Sequence, residues 1–393
     1  MTNPNIPEEV RAVAANPTQL RYALMELSAT IPDVIALGRG DPDLDTPPHI
    51  IAAAQQAIRE GRTGLTPVAG LPELREAIAA KLRRENGLDV DRDNIIVTTG
   101  GQEGVFLMMQ ALLDPSDEIL VPDPRYTSYD DSIEKAGGSL VMIPTDHDDA
   151  FNLRPEAVEA AITAKTKALL IVTPGNPTSG IVTEDRLRAI AEIAIRHNLI
   201  VISDEIYEKF IYDNWRHFSI GSLPGMAERT ITLNGFSKTY AMTGFRVGYV
   251  AAPKDIIAAM IALKAHTSGP AATVSQIAAL AAITGPQTCV DEFRQIFTER
   301  RHVMIEGLRA LNIDLSDPRG AFYIWANTTT TGIHATELSY LLLKEGRVLI
   351  FPGNSFGENW SGYLRMSLLQ PVEVLREALA RMAPVVERYR VKA

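Results

Sequence analysis

The chain has 393 residues, of which 46% are hydrophobic and 22% charged, and its formal net charge at pH 7 is −10. This composition is typical of a folded globular protein and excludes a largely disordered chain. The acidic balance speaks against general binding of nucleic acids, and the one cysteine, Cys289, excludes both an intramolecular disulfide and a zinc site with several thiolate ligands.

The N-terminal sequence MTNPNIPEEVRAVAA has neither the basic nor the apolar region of a signal peptide. No stretch approaches the ~18 consecutive apolar residues of a membrane span. We therefore expect a cytoplasmic protein that contacts neither membrane nor nucleic acid. The histidines show no metal-ligand spacing, so we expect no metal site.

Short apolar runs alternate with amphipathic ones from about Asp91 to Pro253. The apolar runs are predicted to be buried strands, at residues 94–100, 118–124, 139–144, 168–174, 199–205, 230–235 and 245–253. Helical patterns such as residues 184–198 lie between several of them. This alternation indicates an α/β fold, whose large domain holds a mostly parallel seven-stranded sheet covered by helices.

The pattern changes after Pro270. Helices are predicted at about 271–284, 289–311 and 335–346 and from about 371, with strands in AFYIWANT, VLIFPG and YLRMSLL. This part indicates a smaller α+β domain, with which the N-terminal segment is expected to pack. The predicted division is 1–47 for that segment, 48–285 for the large domain and 286–393 for the small domain.

Polar residues come directly after several predicted strands. The two glycines in TTGGQEGVF (98–106) precede a helix, as in a phosphate site or an ordinary turn. In TPGNPTSG (173–180), Asn176 either points into a cleft or belongs to a simple turn. Asp204 ends a buried strand, so its carboxylate needs a cationic partner or caps a helix, and Tyr207 comes three residues later.

The stretch TLNGFSKTYAMTGFRVGYV contains Lys238 and Arg246 but no carboxylate. Lys238 is either an ordinary loop lysine or an amine whose pKa is lowered in a pocket, which would make it a nucleophile. The planar guanidinium of Arg246 would offer two parallel N–H donors to an anion. Because ligands of open α/β sheets bind at the carboxyl ends of the strands, we expect these side chains to share one cleft that suits pyridoxal 5′-phosphate.

The segment GRGDPD (38–43) offers an alternative site, since it has some similarity to a dinucleotide-binding turn. The third glycine is missing and prolines come shortly after, so no helix begins where that motif requires one. A nicotinamide oxidoreductase is therefore not favoured.

The motifs LGRGDPDLDTP, GNPTSG, SDEIY, NGFSKTYAMTGFRVGY and YLRMSL occur here in the order and spacing of one family. The chain resembles the fold-type I pyridoxal-phosphate aminotransferases of class I/II, in their aspartate aminotransferase-like branch, from about residue 37 to the C-terminus. The resemblance implies a transaminase that uses pyridoxal 5′-phosphate, acts on amino acids and 2-oxo acids, and forms a homodimer with active sites at the interface.

The resemblance also implies roles for individual residues. Lys238 matches the catalytic Schiff-base lysine, and Asp204 matches the partner of the pyridine nitrogen. The other implied cofactor contacts are Gly101, Gln102, Ser237 and Arg246 at the phosphate, Tyr207 and Asn176 at the ring hydroxyl, and Tyr126 stacked on the ring. Arg365 matches the arginine that binds the substrate carboxylate, together with Gly40, and Tyr126 and Asn176 also face the substrate.

One position departs from the family pattern. Where the family has tyrosine in a Y-x-P-x-x-G segment, this chain has Leu65 in LTPVAG. The implied consequence is the loss of one phosphate contact donated across the dimer interface.

The substrate pair is less defined by the sequence. Arg39 either pairs with an acidic side chain of the substrate or is a solvated charge. Discrimination between substrate side chains would also involve Gln102, Tyr126, the partner's Leu65 and residues 264–270. Glutamate with 2-oxoglutarate is the expected partner pair, with aspartate or another amino acid as the second substrate. Two alternatives use the same cofactor. One is a β-lyase that depends on Lys238. The other is a non-catalytic regulator that senses the cofactor; such regulators carry a DNA-binding domain, for which we expect no room in this chain.

Overall fold

The computed structural model describes residues 17–391, so residues 1–16 of the predicted N-terminal segment lie outside the described residues. The elements up to the middle of the chain are α1 (Pro17–Thr30), β1 (Ile35–Ala36), α2 (Pro48–Arg59), α3 (Pro72–Lys81), β2 (Ile95–Thr98), α4 (Gly101–Leu112), β3 (Glu118–Asp123), α5 (Ser128–Lys135), β4 (Ser139–Pro144), α6 (Pro155–Ala161), β5 (Thr166–Val172), α7 (Glu184–Arg196) and β6 (Ile200–Asp204).

The remaining elements are β7 (Thr230–Gly235), β8 (Gly248–Ala251), α8 (Lys254–Ala265), α9 (Thr273–Thr284), α10 (Thr288–Ala310), β9 (Asp314–Leu315), β10 (Tyr323–Asn327), α11 (Ala335–Lys344), β11 (Val348–Leu349), β12 (Phe351–Pro352), β13 (Tyr363–Ser367) and α12 (Val372–Tyr389). A π-helical turn, Leu82–Asn86, continues α3, and short 3-10 turns connect other elements. None of the helices in residues 17–391 combines the length and apolar character needed to cross a bilayer.

The seven predicted strands of the large domain are confirmed and form one sheet in the order β2-β8-β7-β6-β5-β3-β4. β8 runs antiparallel to both of its neighbours, and the other pairings are parallel. Strands β2, β7 and β8 are buried along their whole length, as expected for a sheet covered on both faces. The α/β prediction is therefore confirmed.

The helices cover the sheet through apolar faces that recur at helical spacing. In α7 the buried residues are Leu187, Ile190, Ala191, Ile193 and Ala194, while acidic residues occupy its first turn and Arg196 its last. These side chains pack with strand residues such as Leu169 and Val201 in one core cluster. The same apolar periodicity that predicted the helix thus determines which face meets the sheet.

The smaller predicted sheet is also present, with β12, β13, β10 and β9 side by side and antiparallel. Separately, β1 pairs in parallel with β11, so the chain after α1 lies beside the C-terminal part. The segment that comes after β1 reaches β13, because the carbonyl oxygen of Gly38 accepts a hydrogen bond from Arg365 on that strand. The division at residues 47 and 285 stays a prediction.

Candidate active site

The predicted site residues line one cavity of about 650 Å³ at the carboxyl ends of the parallel strands. They come from the segment after β1, from the ends of β2, β3, β5, β6 and β7 and the turns that follow, and from strand β13. The residues that the cavity brings together are Gly40, Gly101, Gln102, Tyr126, Asn176, Asp204, Tyr207, Ser237, Lys238, Arg246 and Arg365. Their implied roles remain predictions.

Lys238 lies three residues beyond the end of β7 and is half-buried in this cavity. Its ammonium Nζ donates a hydrogen bond to the carbonyl oxygen of Gly40 at 2.5 Å. Burial lowers the pKa of Lys238 to about 8; Arg365 and Arg246 also lower it, while Asp41 opposes them. The uncharged fraction of this amine near neutral pH is therefore much larger than that of an ordinary lysine, and the uncharged amine is the nucleophile.

Asp204 is the last residue of β6 and is buried. Its Oδ2 accepts a hydrogen bond from the Tyr129 hydroxyl at 2.5 Å, and its Oδ1 accepts one from the backbone N–H of Ile206 at 3.1 Å. Burial raises the pKa of Asp204 to about 6, although both hydrogen bonds favour the ionised form. A cationic group placed against this carboxylate would stabilise its charge.

The opposite end of the cavity has the features of an anion site. Helix α4 begins at Gly101, so its first N–H groups have no acceptor within the helix. A Cβ at Gly100, whose φ is 77°, would lie 2.9 Å from the guanidinium carbon of Arg246. The glycine thus lets the guanidinium approach the helix N-terminus, and Ser237 adds a buried hydroxyl.

Gly248 permits a second close approach at this end. A Cβ there would meet the carbonyl carbon of Gly100 at 2.9 Å and the nitrogen of Gly101 at 3.0 Å. Because Gly248 begins β8, two residues after Arg246, this contact brings the arginine beside the turn. Backbone N–H groups, a hydroxyl and a guanidinium together suit a phosphate group.

Arg365 lies on β13 and is buried. Its guanidinium donates to the carbonyl oxygen of Gly38 at 2.5 Å and to Oδ1 of Asn176 at 3.2 Å. The guanidinium carbon lies 4.6 Å from the ring centre of Tyr323, and Nε is buried without a hydrogen-bond partner among the described residues. A buried guanidinium with N–H groups still available suits a carboxylate ligand.

The remaining predicted contacts surround the middle of the cavity. The hydroxyls of Tyr207 and Tyr323 lie 3.0 Å apart, and Tyr207 is buried. Tyr126 meets Tyr129 edge to face, with ring centres 5.9 Å apart. Asn176 is buried, whereas Gln102 is exposed at the rim. Aromatic rings and several hydrogen-bonding groups therefore line the same cavity as the anion site and Asp204.

Leu65 lies outside this cavity. It is 91% exposed and lines a separate groove with residues 270–274. Its predicted contribution across a dimer interface is consistent with this exposure and remains a prediction.

Several residues of the cavity were missed by the sequence reasoning. Tyr129 holds Asp204, Tyr323 packs against both Arg365 and Tyr207, and Asp41 faces Lys238. The spacing of Tyr129, three residues after Tyr126 at the start of a helix, was a usable signal. Tyr323 offered none, because it lies in a run of apolar strand residues.

Comparison with protein families places residues 32–382 within the model of "Aminotransferase class I and II". The chain is 42% identical over 373 residues to an aspartate aminotransferase of Pyrococcus abyssi, covering 94% of this chain and 96% of the relative. It is 39% identical to aromatic-amino-acid aminotransferase 2 of Thermococcus litoralis, covering 96% and 97%.

Among solved structures, aspartate aminotransferase from Thermus thermophilus with maleate superposes with a TM-score of 0.88 at 39% identity. The superposition covers 96% of this chain and 97% of that chain. The similarity therefore extends over nearly the whole chain.

Proposed function

The chain belongs to the aminotransferase class I and II family and is an aminotransferase, and we propose that it works with pyridoxal 5′-phosphate bound in the cavity around Lys238. The reaction would move the amino group of an L-amino acid to a 2-oxo acid. One observation carries the proposal: the cavity combines an amine of lowered pKa, a buried carboxylate and an anion site.

The residues present fit this cofactor. The missing side chains of Gly100 and Gly248 let Arg246 lie against the N-terminus of α4, and the phosphate would bind there, with Ser237, Gly101 and Gln102 as further contacts. Asp204 would face the ring nitrogen. Tyr126 would stack on the ring, and Tyr207 and Asn176 would donate hydrogen bonds to the ring hydroxyl oxygen.

When bound, pyridoxal 5′-phosphate supplies an aldehyde that condenses with amines and a protonated ring that withdraws electrons. An ionised Asp204 would favour a protonated ring nitrogen beside it, because the two opposite charges would stabilise each other in a buried setting. Nζ of Lys238, with its pKa near 8, would accept the proton from Cα of the donor amino acid and, in the second half-reaction, would supply a proton to Cα of the product amino acid.

Arg365 orients the amino acid for this proton transfer. Its remaining N–H groups would hold the α-carboxylate, and the carbonyl of Gly38, the Asn176 amide and the Tyr323 ring keep the guanidinium in place. Gly40 lies beside Lys238 and would complete the carboxylate contact. A fixed carboxylate places Cα within reach of Nζ, which lowers the entropic cost of the step.

The two half-reactions share one site, so a first product leaves before the second substrate enters and the kinetics are ping-pong. For the substrates we propose glutamate with 2-oxoglutarate as one pair. Relatives are named for aspartate and for aromatic amino acids, and both remain candidates for the second pair. Arg39 and Gln102 at the rim, Tyr126 and residues 264–270 are the proposed sources of discrimination.

We further propose a cytoplasmic homodimer in which Leu65 lies at the interface near the partner's phosphate site. The 91% exposure of this leucine leaves its side chain accessible to another chain, as this proposal requires. The N-terminal segment, large domain and small domain divide near residues 47 and 285 in this proposal.

A single-turnover experiment tests the function. Purified protein loaded with pyridoxal 5′-phosphate is mixed with each L-amino acid without an acceptor, and 2-oxo acid and ammonia are quantified. We expect one 2-oxo acid per site and no free ammonia, with turnover resuming when 2-oxoglutarate is added. Repeated release of pyruvate and ammonia without an acceptor would instead establish the β-lyase alternative.

A further inference from the structure

Directly behind Asp204 lies a group of buried charges that the proposed function does not use. The next residue, Glu205, is completely buried. Its carboxylate accepts hydrogen bonds from the hydroxyls of Ser203 at 2.9 Å and Ser219 at 2.7 Å and from the Asn86 amide at 3.1 Å. Nε2 of His217 lies 2.9 Å from the same carboxylate.

The group extends from Glu205 towards the surface. The Asn86 amide also donates to Glu208 at 2.6 Å, and Lys81 forms ion pairs with Glu208 and, at 3.9 Å, with Glu85. Lys209 contacts Glu85 at 2.5 Å. We call the four charged residues Lys81, Glu205, Glu208 and His217, whose side chains are largely buried, the buried ion network; the exposed Glu85 and the half-buried Lys209 lie at its outer edge.

The charge balance of the buried ion network depends on His217. Lys81 offsets one of its two glutamates through its contact with Glu208, while Glu85 at the outer edge has Lys209 and Arg84 as partners of its own. Among the ion pairs of residues 17–391, the one that reaches Glu205 is with His217. With a neutral imidazole, Glu205 would be a fully buried carboxylate without a cation, which is strongly unfavourable.

We infer that His217 is a positioning residue for Asp204: as an imidazolium it neutralises Glu205, so that the carboxylate next to Asp204 does not oppose the ionisation of Asp204. This inference rests on the role proposed above for Asp204. It assigns an electrostatic function to a side chain that touches neither the cofactor site nor the substrate site.

The groups around His217 support this assignment. Glu205 and Glu208 raise the pKa of His217 above its ordinary value, against the opposing effects of burial and of Lys81. The Tyr249 phenol on β8 also faces these acids, and burial keeps its pKa well above the usual range, so it stays neutral. Nδ1 of His217 is buried and has no hydrogen-bond partner among the described residues, so the polar contacts of the ring are those of Nε2, with Glu205 at 2.9 Å and the Ser219 hydroxyl at 3.1 Å.

The effect on Asp204 results from the same charges. Burial is the main cause of the raised pKa of Asp204, and the negative charge of Glu205 raises it further. Removing the positive charge beside Glu205 would strengthen that contribution. Asp204 would then bind its proton at a higher pH and lose its ability to hold a charged ring nitrogen.

A bound metal ion is a less favourable interpretation of the same cluster. Ligand atoms of Glu205, Glu208 and His217 lie within 4.8 Å of one another, as in a metal site. However, the ammonium of Lys81 already contacts Glu208, and the Asn86 amide lies between the two carboxylates. The positive charge that a metal would bring is thus supplied by side chains.

The test measures how strongly the full-length apoprotein binds 4′-deoxypyridoxine 5′-phosphate between pH 5 and pH 8. This probe lacks the aldehyde, so its binding does not require a covalent reaction with Lys238. His217→Gln keeps a hydrogen-bonding side chain but removes the charge. His197→Gln is the matched control, because His197 pairs with Glu159 at the protein surface.

As the pH falls, the affinity for the probe should decrease, and we call this part of the pH profile the acid limb. In H217Q we expect the acid limb to shift up by about one pH unit, so that the affinity at a given pH on that limb is roughly tenfold weaker. In H197Q we expect no shift. Glu205→Gln should move the limb down, and the double variant should resemble E205Q alone. This second variant keeps the test decisive if H217Q fails to fold.

The outcomes separate the inference from the proposed function. If Asp204→Asn abolishes the acid limb but H217Q and E205Q leave it in place, the inference about His217 is wrong and the role of Asp204 stands. If D204N changes neither affinity nor pH dependence, the proposed role of Asp204 is itself wrong.

Discussion

The hydroxyl of Tyr129 donates a hydrogen bond of 2.5 Å to Oδ2 of Asp204 inside the cavity. Tyr129 is buried, and burial beside this carboxylate keeps its pKa well above the ordinary value, so it remains a donor. Tyr129 thus holds Oδ2, while the backbone N–H of Ile206 holds Oδ1, the other oxygen of the same carboxylate. The orientation of the carboxylate towards the cavity therefore depends on a residue 75 positions earlier in the chain.

Tyr129→Phe removes this donor while keeping the ring. A hydrogen bond to a charged group contributes roughly 1.5–3 kcal/mol, so the acid limb of kcat/KM should rise by about 1 to 2 pH units. The pH profile with a good amino donor measures the shift. Tyr212→Phe is the control, because its hydroxyl contacts the carbonyl of Ala321 outside the cavity; an equal shift in both variants would refute the assignment.

The pKa of Lys238, about 8, predicts the pH dependence of its reaction with the cofactor. At pH 7 about 10% of such an amine is uncharged, against about 0.03% for an ordinary lysine. Covalent coupling of pyridoxal 5′-phosphate to the apoprotein, trapped with borohydride and measured by mass spectrometry, should rise about tenfold per pH unit and level off above about pH 8. Lys238→Ala should abolish specific coupling; a rate that still rises at about pH 10 would contradict the lowered pKa.

Arg365→Lys tests the carboxylate contact. Lysine keeps the charge but loses the planar fork and its packing on Tyr323. We expect KM for amino acids to rise about 10- to 100-fold, because one bidentate interaction becomes a single contact. The comparison substrate is the corresponding amine without a carboxylate, for which R365K and the wild type should react equally slowly. A loss that is the same for both substrates would show that the arginine acts through the fold.

Gly100→Ala tests the anion site. The added Cβ would collide with the guanidinium of Arg246 at a residue whose φ is 77°. The affinity of the apoprotein for pyridoxal 5′-phosphate, measured by fluorescence quenching, should fall about 10- to 100-fold with the loss of the charged contact. Gly61→Ala is the matched control, because Gly61 has a φ of 70° and open space where its Cβ would lie. Equal losses would assign the effect to backbone strain.

Leu65→Tyr tests the proposed contact across the dimer. A tyrosine hydroxyl reaching the partner's phosphate should slow cofactor release about 10-fold or more. Leu65→Phe adds the ring without the hydroxyl and should leave release near the wild-type rate. Cofactor loss is monitored by gel filtration after dilution. Unchanged release in both variants would exclude Leu65 from the phosphate site.

Local sequence patterns were sufficient for much of the fold. The apolar run TITLNG predicted a strand at 230–235, and β7 occupies the same residues, because a strand buried on both faces must be apolar throughout. The run FRVGYVAAP predicted residues 245–253, but β8 covers only Gly248–Ala251, since the preceding residues turn to place Arg246. The ends of a strand depend on the contacts made by its flanking residues, which local hydrophobicity does not describe.

Part of the candidate site could also be predicted from local sequence patterns. Lys238, Asp204 and Arg246 are polar residues at the ends of apolar strands, where a charge needs a specific reason to be present. Tyr323 and His217 carried no such signal, because a tyrosine in a strand or a histidine in a loop is compatible with many environments. Their importance comes from contacts with Arg365 and Glu205, which the fold brings beside them.

The sequence by itself determined the order of strands and helices along the chain, the seven apolar runs that form the large sheet, and the residue types found where those runs end. Each of these depends on hydrophobicity and on residues nearby in the chain. Only the tertiary structure decided which side chains share the cavity, how Tyr129 orients Asp204 and how the buried ion network balances its charge. The reason is physical: desolvation and charge pairing depend on distances between residues that the folded chain alone brings together.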